Sequence, residues 1–322
     1  ITGSERMKER PVGILVDGLK TLGANIRYSG KEGFPPIIIE GKELAGGFLE
    51  MDGSISSQFI SALLLIAPAM NNGITLKLKN KIISGPYIEM TLKLLKLFGI
   101  NSGFNENTIR IEKQDFKTGE MTIEPDWTSA AYWYQMAAFS DEANLLLKNL
   151  GKESIQGDAI LPEIYENFGV KTEYLPEGIK LTKTKKVVRD FTYDFSNHPD
   201  LAQSVIVTCA GLQISGTFSG LESLRIKETD RIMALCNELR KIGYQIHLEE
   251  NAVIRLDHSN QIHHPAMRPV QPITTYGDHR MAMAFAPLSM IIGPIQIEEP
   301  DVVSKSYPGF WADLKQVGLK FS

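Results

Sequence analysis

A dense group of charged residues stands just before an apolar helical pattern in the second half of the chain. Residues 225–231 read Arg-Ile-Lys-Glu-Thr-Asp-Arg, and an apolar face at helical spacing follows from Ile232. Backbone N–H groups at a helix start attract anions, and neighbouring cations keep a carboxylate such as Glu228 ionised for proton transfer. The segment therefore predicts anion binding together with acid–base chemistry. A solvated helix start held by pairs of opposite charge is the alternative that this segment alone leaves open.

Two further helix starts carry side chains suited to ligand binding. Ser56, Ser57 and Gln58 open a strongly apolar run, where hydroxyls and helix N–H groups together can hold a phosphate. Asp200 follows His198-Pro199 at the start of another apolar run. Each position also has a plain structural reading, because Ser and Asp are preferred as helix N-caps. The residues alone leave both readings open.

These helix starts belong to a pattern that recurs along the chain. A helical segment that ends in Gly recurs at intervals of 70 to 76 residues, at Gly23, Gly99, Gly169, Gly243 and Gly318. Gly suits the left-handed position that ends a helix. An Asp that precedes an apolar helix recurs at intervals of 74 to 78 residues, at Asp52, Asp126, Asp200 and Asp278. The two phased series predict a repeated unit with two helices and several short strands.

Short alternating or β-branched runs predict the strands of this unit. They lie at 36–40, 74–78, 108–112, 143–147, 252–256 and 294–298. The helices predicted at 57–69 and 128–139 are apolar almost all round, which indicates that both are buried. We therefore expect a mixed α/β (α+β) fold with helices inside and sheets outside.

Composition limits the classes of function. The 322 residues carry a formal net charge of −4, whereas a nucleic-acid-binding surface normally shows a basic excess. We find no apolar run of membrane-spanning length and no signal peptide pattern. Cys209 and Cys236 lie in apolar helical runs, which is typical of buried free thiols. We expect no nucleic-acid partner, no membrane partner and a cytoplasmic location.

Six motifs resemble those of the 5-enolpyruvylshikimate-3-phosphate synthase family, and their order and spacing fit along the whole chain. They are Met7-Lys-Glu-Arg-Pro11, Asp52-Gly-Ser-Ile-Ser-Ser-Gln58, Asn197-His-Pro-Asp200, Arg225-Ile-Lys-Glu-Thr-Asp-Arg231, Asp278-His-Arg280 and Lys305-Ser-Tyr-Pro308. The resemblance implies the enolpyruvyl transferase fold, which has two similar lobes of repeated βαβαββ units with buried helices. It places the remainder of an incomplete N-terminal lobe at 1–124 and the C-terminal lobe at 125–322.

The resemblance implies transfer of the enolpyruvyl group of phosphoenolpyruvate to the 5-hydroxyl of shikimate 3-phosphate, with release of phosphate. We accordingly expect these two small molecules as substrates, no cofactor, no metal and a monomeric protein. The resemblance also implies that roughly the first quarter of a family member precedes Ile1. Because residues that bind both substrates belong to that part of the family, we expect the chain to be inactive alone.

The resemblance also assigns roles to individual residues. Asp200 takes the proton from the attacking hydroxyl, and Glu228 and Lys305 transfer the proton at the phosphoenolpyruvate methylene. The implied contacts with shikimate 3-phosphate are Ser56, Ser57, Gln58, Ser84, Tyr87 and Lys227, of which Gln58 also contacts phosphoenolpyruvate. The implied cationic contacts with phosphoenolpyruvate are Arg10, Arg231, Arg280 and Lys305, whose charges match its carboxylate and phosphate oxygens.

Several points stay open at this level. Ser223 stands where some family members carry a longer Asn, which leaves a direct contact with the ligand phosphate undecided. His258, His263 and His264 favour a surface loop over a metal site, since no Cys or Glu stands at ligand spacing. The competing functions are a UDP-sugar enolpyruvyl transferase of the same fold and a non-catalytic clamp of similar units. Ionisable motifs at repeated helix starts favour the synthase over the clamp, and Ser56-Ser57-Gln58 discriminates best against the UDP-sugar enzyme.

Overall fold

The computed structural model of the protein describes residues 1–54, 56–258 and 271–321. These residues form two compact units. The first consists of Ile1–Ile123 with Ile155–Gly157, and the second consists of Glu124–Ser154 with Asp158–Ser322. Each unit contains its own hydrophobic core, so the two are described in turn.

The first unit alternates helices with short strands. Its helices are α1 (Glu5–Lys8), α2 (Gly13–Thr21), α3 (Ser57–Ile66) and α4 (Gly85–Leu97), with a 3-10 turn at Ala67–Ala69. Its strands are β1 (Asn25–Tyr28), β2 (Ile37–Glu40), β3 (Gly47–Asp52), β4 (Ile74–Lys79), β5 (Gly103–Asn105) and β6 (Thr108–Ile111). Strands β3 and β4 pair in parallel within a sheet of order β3-β4-β6-β5. Alternation along β4 turns Ile74, Leu76 and Leu78 into the core.

The prediction that the 57–69 helix is buried all round is wrong. Ile60, Leu63 and Leu64 of α3 are fully buried, but Leu65 is 50% exposed and Ile66 is 38% exposed. Within the first unit, α3 packs against α4 and α2, and these neighbours cover one side of the helix. A helix that is apolar on every face is therefore fully buried only where neighbouring elements cover all of its faces.

The second unit contains the longer buried helices. Its helices are α5 (Trp127–Phe139), α6 (Leu161–Glu166), α7 (Ala202–Gly211), α8 (Arg231–Lys241), α9 (His279–Phe285), α10 (Ser289–Ile292) and α11 (Phe310–Gln316). Its strands are β7 (Asn144–Lys148), β8 (Val170–Leu175), β9 (Gly178–Lys183), β10 (Asp190–Asp194), β11 (Ser215–Ser219), β12 (Gln245–Glu249) and β13 (Val253–Asp257). Short 3-10 turns lie at Gly157–Ile160, Pro199–Leu201, Glu222–Ile226, Glu250–Ala252, Ala286–Leu288 and Pro300–Lys305.

Helices α5, α7 and α9 form the centre of the second core. Every residue of α7 is buried, and α5 packs on α7, which packs on α9. The predicted burial of the helix at 128–139 is confirmed, because nearly all of α5 is buried. The sheet of order β10-β11-β13-β12 has the same strand order as β3-β4-β6-β5. Among the described residues, each unit therefore contains one complete copy of the predicted βαβαββ repeat.

The glycine series is confirmed in the structure. The backbone φ angles are 104° at Gly23, 83° at Gly99, 76° at Gly169, 93° at Gly243 and 97° at Gly318. Each of these glycines follows the end of a helix, where a left-handed residue closes the last turn. The series could be predicted because this conformation strongly favours Gly.

Each Asp of the aspartate series precedes a helix as predicted, but the four do not occupy one structural position. Asp126 and Asp278 are the N-caps of α5 and α9, whereas Asp52 ends β3 and Asp200 lies inside a 3-10 turn. The connection from β10 to α7 is longer than the connection from β3 to α3. Equal spacing in the sequence therefore falls on different structural positions.

The residue that matches Asp52 by position is Asp194, at the end of β10. Each of the two carboxylates accepts a hydrogen bond of 2.8 Å from the backbone N–H two residues ahead, at Ser54 and Ser196 respectively. The strand-ending turn is thus the feature that repeats between the two sheets.

Most predicted strands are present, but the strand predicted at 294–298 is not. That segment makes only an isolated parallel bridge between Ile297 and Ile273 in the described part of the chain. Pro294 lacks a backbone N–H and therefore cannot donate a hydrogen bond to a ladder at its position. Among the described residues, the structure contains no helix that is both long and apolar enough to span a membrane.

Candidate active site

Asp200 occupies the 3-10 turn Pro199–Leu201 that leads into α7. The N-cap of α7 is Leu201, so the carboxylate of Asp200 does not cap this helix. Its Oδ1 atom lies 3.1 Å from Nη1 of Arg231, and its Oδ2 atom lies 3.1 Å from Nη2 of Arg280. Two guanidinium groups therefore hold both oxygens of one carboxylate.

Arg231 is the buried centre of these ion pairs. It is the first residue of α8, a helix capped by Asp230, whose side chain accepts a hydrogen bond from the Met233 N–H. The Arg231 side chain is 2% exposed. Its Nε atom donates to Asp278 Oδ2 at 2.6 Å, and its Nη2 atom donates to Glu228 Oε2 at 2.8 Å. With Asp200, three carboxylates share one guanidinium, whose planar set of donors suits such contacts.

Glu228 lies between two cations. Its Oε1 atom accepts a hydrogen bond of 2.9 Å from Nζ of Lys305, and its Oε2 atom accepts one from Arg231. Burial raises the pKa of Glu228, but the charges of Arg231 and Lys305 outweigh burial and lower the pKa to about 2. In this arrangement Glu228 is ionised and can accept a proton, whereas the ammonium of Lys305 carries one.

Arg280 is positioned by the first turn of α9. Asp278 is the N-cap of this helix, and its Oδ1 atom accepts a hydrogen bond of 2.9 Å from the Arg280 N–H. Burial raises the pKa of Tyr132 to about 12, although the charge of Arg280 and its hydrogen bond to Tyr132 act in the opposite direction. The sequence did not predict the contact of Tyr132 with Arg280, because a single Tyr in an apolar helix does not indicate which residues pack beside it.

Lys227 and His279 lie beside these groups. Burial lowers the pKa of Lys227, and the nearby Arg231 and Arg280 lower it further, while Asp200 raises it. An anionic ligand would offset this repulsion among cations. Burial and Arg280 lower the pKa of His279 to about 4, so its imidazole is neutral near pH 7.

Asp158 is a buried carboxyl that the sequence analysis did not single out. Its Oδ2 atom accepts a hydrogen bond of 2.5 Å from the hydroxyl of Thr128, in the first turn of α5. Burial raises the pKa of Asp158 to about 7, and the negative charge of Asp200 acts in the same direction. No motif in the sequence marks this residue, because its environment comes entirely from tertiary packing.

The structure brings together one charged cluster in the second unit. Its members are Asp200, Lys227, Glu228, Arg231, Asp278, Arg280 and Lys305. It combines ionised carboxylates with cations, so it can accept and donate protons and can hold anions. Predicted site residues from four separate segments of the chain meet here.

The other predicted site residues lie in the first unit. Ser56 is the N-cap of α3 and makes no side-chain capping hydrogen bond with residues 57–66 of that helix. Ser57 is buried, whereas Gln58 is exposed. Two consecutive hydroxyls at a helix N-terminus can bind a phosphate without giving up a cap.

The remaining residues of this set lie at or near helix ends. Ser84 precedes α4 with a left-handed φ of 58°, and Tyr87 lies in the first turn of that helix. Arg10 follows α1 and is half-buried. All of these residues belong to the first unit.

The structure describes Ser223 and one of the three histidines whose roles the sequence left open. Ser223 lies in the 3-10 turn Glu222–Ile226 that leads to Lys227. His258 donates its backbone N–H to the hydroxyl of Ser215 at 3.0 Å, whereas His263 and His264 lie outside the described residues. Within the described part of the chain, no three His, Cys, Asp or Glu side chains are grouped as a metal site.

Comparison with known proteins identifies the family. The family model for EPSP synthase (3-phosphoshikimate 1-carboxyvinyltransferase) matches residues 1–314. The chain is 48% identical over 320 residues to a Bacteroides fragilis protein named 3-phosphoshikimate 1-carboxyvinyltransferase, covering 99% of this chain and 77% of that protein. The chain thus spans about three quarters of the length of this relative.

Solved structures show the same fold. An EPSP synthase from Acinetobacter baumannii superposes with a TM-score of 0.75 at 22% identity, covering 99% of this chain and 73% of that one. The enolpyruvyl transferase NikO from Streptomyces tendae superposes with a TM-score of 0.67 at 15% identity, covering 96% and 72% respectively. The fold is that of the enolpyruvyl transferases, and the chain belongs to the EPSP synthase (3-phosphoshikimate 1-carboxyvinyltransferase) family.

Proposed function

We propose that the charged cluster catalyses transfer of the enolpyruvyl group from phosphoenolpyruvate to the 5-hydroxyl of shikimate 3-phosphate. The observation that carries this proposal is the placement of two carboxylates, Asp200 and Glu228, each between two cations. The reaction needs a base for a weakly acidic hydroxyl, a proton for an enol carbon and cations for two polyanions. The cluster contains all three kinds of group.

Asp200 serves as the base for the attacking hydroxyl. Because Arg231 and Arg280 hold its two oxygens, the carboxylate is fixed in orientation. A positioned base contributes about 10²- to 10⁴-fold to a proton-transfer step. The hydroxyl oxygen bonds to C2 of phosphoenolpyruvate as its proton passes to Asp200.

Lys305 and Glu228 act at the methylene carbon of phosphoenolpyruvate. The low pKa of Glu228 makes Lys305 the group that carries the proton in this pair. Lys305 donates to C3 as the C–O bond forms at C2. Glu228 then accepts a proton from C3 while the C–O bond to phosphate breaks, which re-forms the C2=C3 double bond as an enol ether and releases phosphate.

Cations and helix N-termini bind the substrates in this proposal. Arg231, Arg280 and Arg10 hold phosphoenolpyruvate, and Lys227 holds shikimate 3-phosphate.

In the first unit, Ser56 and Ser57 bind the 3-phosphate at the start of α3. Gln58, Ser84 and Tyr87 supply the remaining contacts with shikimate 3-phosphate. Residues 1–124 and 125–322 then correspond to the two lobes of the family.

Product analysis tests the function. The enzyme, expressed from its complete reading frame, is incubated with phosphoenolpyruvate and shikimate 3-phosphate, and products are identified by ³¹P NMR and mass spectrometry. We expect one enolpyruvyl ether and one phosphate for each acceptor consumed. UDP-N-acetylglucosamine in place of shikimate 3-phosphate should give no product. Turnover with the UDP-sugar alone would overturn the proposal in favour of the sister transferase.

We also propose that the protein acts as a monomer in the cytoplasm. All the roles assigned above fall on residues of one chain, so none of them calls for a residue from a second copy. Light scattering of the purified enzyme should give the mass of one chain, and the mass of a dimer would contradict the monomer.

A further inference from the structure

One face of α8 contacts the segment that leads into α9. Arg231, at the start of the helix, binds Asp278. Glu238 lies seven residues later on the same face, and Lys241 lies one turn beyond it. Both of these residues contact the segment 272–276. A single helix thus holds the α9 N-cap at one point and the preceding segment at another.

Glu238 is a fully buried carboxylate with three donors. Its Oε1 atom accepts a hydrogen bond of 2.7 Å from the hydroxyl of Tyr276, and its Oε2 atom accepts one of 3.1 Å from the Thr274 N–H. Nζ of Lys241 lies 2.8 Å from the same Oε2 atom. Burial of a charge is costly unless it is paired and hydrogen-bonded, so these contacts offset a large desolvation cost.

Lys241 strengthens the same attachment. Its Nζ atom donates to the Thr274 hydroxyl at 3.1 Å and lies 3.4 Å from the carbonyl oxygen of Pro272. On the other side, the Ile273 N–H donates to the carbonyl oxygen of Gln296 at 2.8 Å. The segment is therefore held by contacts with α8 and with Gln296 just before α9 begins.

The backbone that joins this segment to α9 is strained. Tyr276 has a φ of 54° and Gly277 a φ of 67°, so two consecutive residues are left-handed directly before Asp278. A non-Gly residue is strained in this region and stays there only where its surroundings enforce the conformation. The Glu238–Tyr276 hydrogen bond is a contact that can enforce it. This strained turn sets the direction in which α9 starts.

We propose that Glu238 is a positioning residue for the phosphoenolpyruvate-binding Arg280, acting through residues 274–278. Glu238 holds Thr274 and Tyr276, these hold the left-handed turn, and the turn places Asp278 and the first turn of α9. Arg280 lies in that first turn and pairs with Asp200. The role of Arg280 in this statement rests on the proposed function, whereas the structural attachment does not.

Steady-state kinetics of Glu238→Gln and Tyr276→Phe in the full-length enzyme test this role. Glu238→Gln turns an acceptor into an amide whose N–H groups face other donors. We expect KM for phosphoenolpyruvate to rise about tenfold or more, since small misplacements of a binding group have such effects. KM for shikimate 3-phosphate should stay within about twofold, because the groups assigned to it lie on other segments. Tyr276→Phe should change the same constant in the same direction, by less.

Tyr134→Phe is the matched control. It also removes one Tyr hydroxyl hydrogen bond in the second unit, the 2.8 Å contact with Thr172 on β8. We expect it to leave both KM values unchanged. If Glu238→Gln and Tyr276→Phe fold but keep KM for phosphoenolpyruvate within about twofold of wild type, the proposal is overturned. Equal increases in both KM values would also overturn it, because they would indicate a general structural role.

Hydrogen–deuterium exchange separates this inference from the proposed function. In Glu238→Gln, amides of residues 272–281 should exchange faster than in wild type, while those of α7 should not. If the wild-type enzyme shows no enolpyruvyl transfer, the proposed function fails and this exchange experiment still decides whether Glu238 holds the turn. Unchanged exchange at 272–281 would overturn the attachment itself.

Discussion

The Oδ2 atom of Asp200 lies 3.1 Å from the Nη2 atom of Arg280, which joins the proposed base directly to a proposed substrate-binding cation. The two residues come from different helix starts, the turn before α7 and the first turn of α9. In the proposed mechanism, this contact couples binding of an anion at Arg280 electrostatically to proton transfer at Asp200. Any change that moves one group alters the environment of the other.

Removal of the central guanidinium should be severely destabilising. Arg231→Met leaves the carboxylates of Asp200, Glu228 and Asp278 without the cation that they share. Breaking a buried ion pair in this way costs about 3–5 kcal/mol. We expect a lower urea midpoint for the variant, measured by fluorescence and circular dichroism.

The matched control for this prediction is Arg255→Met. Arg255 pairs with Glu249 at 2.9 Å, but both side chains are exposed, so its loss should cost less than about 1 kcal/mol. Equal shifts of the midpoint for Arg231→Met and Arg255→Met would mean that the buried network contributes no special stability.

Replacement of Lys305 should change the pH dependence of catalysis. Lys305 and Arg231 lower the pKa of Glu228 to about 2 against the opposing effect of burial, so in wild type this carboxylate stays ionised throughout the usual assay range. In Lys305→Met the pKa of Glu228 rises and the acidic limb of the kcat/KM profile moves to higher pH. The loss of the proton donor should also lower kcat by about 10²-fold or more.

Lys315→Met serves as its control, because Lys315 is exposed on α11 and carries no assigned role. Its profile should match wild type. An unchanged acidic limb in Lys305→Met would contradict the assignment of Lys305 as the cation that keeps Glu228 ionised.

The sequence predicted features that depend on local conformation and missed those that depend on tertiary contacts. Helix-ending glycines were predictable because a left-handed residue favours Gly wherever it occurs. The charged motif at 225–231 was predictable as a group, but its contacts with Asp200 and Asp278 depend on how α7, α8 and α9 pack. Exposure of Leu65 on α3 was unpredictable for the same reason, since burial depends on neighbours.

Two of the most informative side chains had no local signal at all. Tyr132 belongs to an apolar helix, and Asp158 lies in a short 3-10 turn. Their proximity to Arg280 and Asp200 follows from packing alone. Such residues are found only when the electrostatic environment of each buried polar group is known.

Asp158 should make stability depend on pH near neutrality. Burial raises the pKa of this carboxyl to about 7, above its unfolded value, so the folded state binds the proton more tightly. The protonated carboxyl contributes to the free energy of unfolding at low pH, by at most about 4 kcal/mol. This contribution is lost as the pH rises through about 7. Asp158→Asn removes the ionisable group. The stability of the variant relative to wild type should therefore be higher at pH 8 than at pH 5.

Thermal unfolding at these two pH values measures the effect, with Asp190→Asn on the exposed side of β10 as control. The difference in Tm between Asp158→Asn and wild type should grow with pH, while that of the control should stay constant. If the difference in Tm between Asp158→Asn and wild type does not vary with pH, the carboxyl has the same pKa in the folded and unfolded protein.

The most direct test of the central claim compares phosphate release by wild type and Asp200→Asn at saturating phosphoenolpyruvate and shikimate 3-phosphate. The enzyme is expressed from its complete reading frame, and Asp190→Asn is the control. We expect kcat of Asp200→Asn to fall by about 10²- to 10⁴-fold while the control matches wild type. Turnover of Asp200→Asn within about twofold of wild type would contradict the role of this carboxylate as the base and with it the proposed mechanism.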